Sequence, residues 1–68
     1  MLNLSQSDIQ FIKKNFDNSE EMINNYTIQQ MLDAIYDIID YQGFNQDYDY
    51  NDFGREAQKV YDSIYVNN

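Results

Sequence analysis

Asp33, Asp37 and Asp40 recur about one helical turn apart, and Asp47-Tyr48-Asp49-Tyr50-Asn51-Asp52 follows them closely. Carboxylates set among phenol rings can pair with arginine forks, ligate a hard cation or exchange protons as acids and bases. Proton transfer is the weakest of these, because nothing in the sequence predicts a buried carboxylate pair in a water-excluding pocket, and the chain has neither histidine nor cysteine. No catalytic residue is expected, and the chain does not read as an enzyme. Zinc and iron-sulfur sites lose their usual ligands for the same reason. A calcium loop fares little better. Asp47, Asp49 and Asn51 occupy positions 1, 3 and 5 of an EF-hand, but Asp52 stands where the glycine of position 6 belongs and Gln58 where the glutamate of position 12 belongs. Neither metal nor cofactor is expected.

Pairing with a basic partner remains. From residue 33 onward, Asp33, Asp37, Asp40, Asp47, Asp49, Asp52, Glu56 and Asp62 face only Arg55 and Lys59, and they dominate a net charge of −8. Tyr36, Tyr41, Tyr48, Tyr50 and Tyr61 are interleaved with them. Such a surface repels nucleic acid and membranes and attracts basic proteins, including the clefts that hold DNA or RNA. Carboxylates repeated every ~5–6 Å along a helix come close to the phosphate spacing of a nucleic-acid strand. The plainer reading of Asp33, Asp37 and Asp40 is the polar face of any amphipathic helix, and that of residues 47–52 is a solvated loop that caps a helix. Lys13 and Lys14 are the one adjacent basic pair and make no DNA-binding patch.

The elements that must position these groups are helical. Ser5 caps a first helix, with Leu4 and Ile9 at the staple positions and Ile9, Ile12 and Phe16 at helical spacing; Asp17 and Asn18 end it. Ser19, Glu20 and Glu21 start a short turn over residues 20–25, with continuous helix from Glu20 as the alternative. Thr27 and Gln30 form a fresh capping box, opening a helix from Ile28 to about Gln42 with Ile28, Leu32, Ile35 and Ile39 on one stripe and Gly43 as a left-handed stop. Residues 44–51 read as a loop rich in Asn and Asp; an extended 47–51 would point Asp47, Asp49 and Asn51 one way and Tyr48 and Tyr50 the other. A last helix, capped by Asn51 or Asp52, places Phe53, Ala57, Val60, Tyr61 and Ile64 on one face and reaches about Val66; Gly54 near its start costs about 1 kcal/mol against Ala. The expected fold is all-α, a small antiparallel three-helix bundle in one acidic domain over residues 1–68. With no disulfide and so few residues, its stability rests on helix packing or on self-association, and the chain is expected to be a monomer or dimer.

The opening Met1-Leu-Asn-Leu-Ser lacks a signal-peptide pattern, and no apolar run approaches the ~20 residues of a membrane span. The expected setting is cytoplasmic. Asn, Ile, Tyr and Phe, whose codons are AT-rich, are abundant while lysine is scarce, which points to an AT-rich bacterial or phage genome in which acidity has been selected.

The stretch from Ile39 to Tyr50, Ile-Asp-Tyr-Gln-Gly-Phe-Asn-Gln-Asp-Tyr-Asp-Tyr, resembles a segment near the C-terminus of the ArdA antirestriction family, acidic proteins that mimic DNA and block type I restriction enzymes. ArdA proteins are far longer, elongated and partly β-structured, so the resemblance implies nothing about this fold. It implies Asp40, Asp47 and Asp49 as phosphate-mimicking carboxylates. In size and charge alone the chain is also similar to small phage anti-CRISPR proteins. The expected function is that of a small phage or mobile-element inhibitor bound in the basic cleft of a defence nuclease. Asp33, Asp37, Asp40, Asp47, Asp49 and Asp52 would stand in for phosphates, with Tyr41, Tyr48 and Tyr50 as packing anchors. The rival expectation is a helical interaction module that holds one protein through aromatic or apolar anchors.

Overall fold

Side-chain caps fix three of the four helix starts in the computed structural model, which describes residues 2–47 and 49–68. In α1 (Gln6–Asn15), the Ser5 hydroxyl accepts from the Asp8 N–H while the Asp8 carboxylate accepts from the Ser5 N–H, so two otherwise orphaned donors are satisfied reciprocally. Thr27 and Gln30 do the same for α3 (Ile28–Gln42). The Asn51 side chain accepts from the Gly54 N–H at 2.7 Å and opens α4 (Asp52–Asn67). Only α2 (Ser19–Asn25) lacks a side-chain cap; its cap position is Asn18, and Ser19 is already inside the helix. The segment before Thr27 is therefore a separate short helix and not the start of α3, which agrees with the short turn expected over residues 20–25, and among the described residues the helical bundle carries this short helix beside three longer ones.

The core forms where the apolar stripes meet. Ile12 from α1, Met22 from α2, Met31, Leu32, Ile35 and Ile39 from α3, and Ala57, Val60 and Ile64 from α4 are buried together. The helices α3 and α4 make the most extensive pair, and α1 packs on both α2 and α4. The stripe expected on α1 needs correction, since Phe11 is buried while Ile9 and Phe16 are only partly so. Phe11 stacks on Phe53 with ring centroids 5.7 Å apart, and this contact across α1 and α4 decides which face turns inward. The helix also stops at Asn15, short of Asp17, because Phe16 turns extended to pack against the core.

Gly43 is not left-handed. Its φ and ψ are −89° and 0°, and it is buried at the junction of α3 and α4. Its N–H donates to the Ile39 carbonyl at 2.7 Å and its carbonyl accepts from the Asn51 N–H at 3.0 Å. A Cβ on Gly54 would collide with that same Gly43 carbonyl. Gly54 therefore serves close backbone approach, which lets the N-terminal turn of α4 lie directly on the end of α3, while a Cβ on Gly43 would meet the Ile39 carbonyl of the preceding turn.

Candidate functional site

The stripe Asp33, Asp37 and Asp40 projects from α3 on the side away from its buried residues, and all three are exposed. At ~100° per residue, Tyr36 falls on one flank of the stripe and Tyr41 on the other. Both rings are unusually open, at 62% and 89% exposure. The Gln29 amide donates to Asp33 at 2.9 Å, and no cation pairs with any of the three carboxylates among the described residues.

Charge on α3 runs against its own dipole. A helix is stabilised by acids in its first turn and bases in its last. In α1 this holds, with Asp8 at the start and Lys13 and Lys14 at the end. The first turn of α3 has no acid, its last turn has no base, and Asp40 lies in that last turn. Each misplaced charge of this kind costs about 0.3–1 kcal/mol.

Beyond Gly43 the described residues form the loop expected over 44–51. The Asn45 side chain accepts from the N–H groups of Asp47 and Asp49 at 2.9 and 3.1 Å, while the Asn45 N–H donates to the Asp49 carbonyl at 2.8 Å. This local bonding offers the backbone an alternative to a strand and leaves Asp47 and Asp49 exposed on the loop. Asn51 is spent on structure, capping α4 and donating to the Gln42 carbonyl at 2.9 Å. Tyr48 lies outside the described residues.

One antiparallel bridge, Phe44 to Tyr50, closes the loop. Their rings stack with centroids 5.0 Å apart and planes at 18°. The Tyr50 hydroxyl donates to Gln58 at 3.2 Å, and the Gln58 amide donates to Asp62 at 3.0 Å. Tyr36, Ile39, Asp40, Phe44, Tyr50 and Gln58 together line a notch of about 110 Å³. Asp40 and Tyr50 thus share a feature, whereas Asp52 is set apart by its exposed pair with Arg55 at 3.1 Å. Tyr36, Phe44 and Gln58 were not foreseen as site residues. Tyr36 and Phe44 stand four residues before and after Asp40, a spacing that carried a usable signal for Tyr36 on the helix; the pairing of Phe44 with Tyr50 depends on the Asn45 turn.

Among the described residues no three metal-ligating side chains come together, and no helix is long and apolar enough to cross a membrane. Comparison with family models, curated proteins and solved structures finds no match.

Proposed function

We propose that the chain is a small acidic inhibitor whose 33–52 surface docks in the basic nucleic-acid cleft of a defence nuclease, of the restriction or RNA-guided kind. The observation that carries this reading is the α3 stripe itself. Three exposed carboxylates have no paired cation among the described residues and sit on a helix whose dipole disfavours at least one of them. A charge arrangement that costs stability is expected where binding needs it. The longest extent of the molecule, 37 Å, corresponds to about eleven base-pair steps at ~3.4 Å each, enough to fill part of a duplex-binding groove.

The test compares wild type with the triple variant Asp33→Asn, Asp37→Asn, Asp40→Asn in displacing duplex DNA from a panel of restriction and RNA-guided nucleases. Wild type should displace DNA from its target, less well as salt rises from about 50 to about 200 mM. The variant should lose displacement while melting at a higher temperature than wild type, because the dipole and repulsion penalties are gone. Displacement unchanged by the three substitutions, or by salt, would remove the basis of the mimicry reading.

A second reading is favoured by the exposure of Tyr36 and Tyr41, which suits an interaction module that grips one protein through aromatic anchors. On that reading Tyr36→Ala and Tyr41→Ala abolish partner binding, and salt changes it little.

A further inference from the structure

The notch beside α3 combines features that the acidic stripe alone does not have. Its walls include the stacked pair Phe44 and Tyr50 and the exposed ring of Tyr36, and its rim carries the carboxylate of Asp40. Aromatic faces attract a cation placed within ~6 Å of the ring centroid. Asp40 has no hydrogen-bond or ion-pair partner among the described residues, and it stands in the last turn of α3, where the helix dipole also favours positive charge. Gln58 cannot fill the role of acceptor as freely, because its carbonyl already receives the Tyr50 hydroxyl. The Phe44–Tyr50 bridge and the hydrogen bonds to the Asn45 side chain tie together the loop that supplies two of the walls.

Size narrows the occupant. At about 110 Å³ the notch is well below the ~300–1,000 Å³ of clefts that enclose drug-sized ligands, so it takes the end of one side chain. Between the two basic side chains, arginine fits better. Its planar guanidinium stacks on aromatic faces, sheds water more readily than an ammonium and can donate in parallel to one carboxylate. We propose that the notch of Tyr36, Phe44, Tyr50 and Asp40 receives the guanidinium of an arginine on a partner protein.

This deepens the reading of the 33–52 surface as a docking face and rests on it, but its test needs no nuclease. The capped tripeptide Gly-Arg-Gly is titrated into the labelled full chain by NMR, beside the same peptide with lysine or with citrulline, the neutral isostere of arginine. The arginine peptide should give saturable shifts at the rings of Tyr36, Phe44 and Tyr50, the lysine peptide should bind about two- to fivefold more weakly, and citrulline should give none. Tyr36→Leu and Asp40→Asn, both at exposed positions and checked for helicity, should each weaken the arginine peptide about two- to fivefold. The inference fails if citrulline binds as well as arginine, if the shifts spread along Asp33 and Asp37 and ignore Tyr36→Leu, or if no shift saturates. Peptide binding at the notch together with no DNA displacement from any nuclease would leave the notch standing and sink the mimicry alone.

Discussion

Gly54 shows how one residue type can carry opposite signs at two levels of description. Glycine inside a helix is ordinarily destabilising by about 1 kcal/mol against alanine, so Gly54→Ala looks like an improvement. The Cβ it adds would run into the Gly43 carbonyl, which is backbone and already bonded to the Asn51 N–H. Separation of α4 from α3 is the one relief available, and overpacking of this sort costs about 1–3 kcal/mol. Urea unfolding of Gly54→Ala should therefore show a loss of that size; a gain would mean that the α3–α4 junction is looser than described. The sign was hidden in the sequence because the conflict lies between residues eleven apart in the chain whose proximity only the loop creates. Gly43 was misread for a more local reason: a Cβ there would meet the Ile39 carbonyl one turn earlier, so its role is proximity and not positive φ.

The helices differ in how openly the chain announces them. For α3 the capping box of Thr27 and Gln30 and the stripe Ile28, Leu32, Ile35 and Ile39 state both the start and the buried face, and its ends fall where the sequence places them. For α1 the cap was legible but the face was not. Phe11 turns inward because Phe53 meets it from α4, and a tertiary contact of that kind leaves no trace in local spacing. The joint of α1 with α4 contains a second unannounced contact. The Asp8 carboxylate, 1% exposed, accepts from the Ser63 hydroxyl at 3.0 Å as well as from the Ser5 N–H. A cap and a bridge between helices thus use one side chain. Ser63→Ala leaves a buried carboxylate one donor short, and hydrogen bonds to charged groups contribute about 1.5–3 kcal/mol. A loss within that range in thermal or urea unfolding is expected, and a loss below a few tenths of a kcal/mol would mean that water replaces the hydroxyl freely. The notch was the least legible feature, since it requires the end of α3, the Asn45 turn and Gln58 of α4 to converge.

At the scale of the whole molecule, a net charge of −8 on 68 residues is a standing strain, opposed among the described residues by a single exposed ion pair. Screening should relieve it. The Debye length falls from about 30 Å at 0.01 M to about 8 Å at 0.15 M, which is less than any overall dimension of the protein, 37 × 24 × 19 Å. Raising sodium chloride across that range should lift the melting temperature, by about 4–8 °C if about 1 kcal/mol of repulsion is relieved. No rise would show that the carboxylates already lie too far apart to feel one another. The polar ends of the chain are tied independently of this charge. Asn3 donates to the Asn68 side chain at 2.8 Å and to the Asn67 carbonyl at 3.2 Å, and Asn68 donates back to the Asn3 carbonyl at 3.0 Å. Residues at opposite ends of the sequence therefore leave the bundle side by side, a geometry that tolerates splicing into a surface loop of an unrelated host protein. The acidic face could travel as a cassette, carried into a new scaffold through one seam and with the bundle intact.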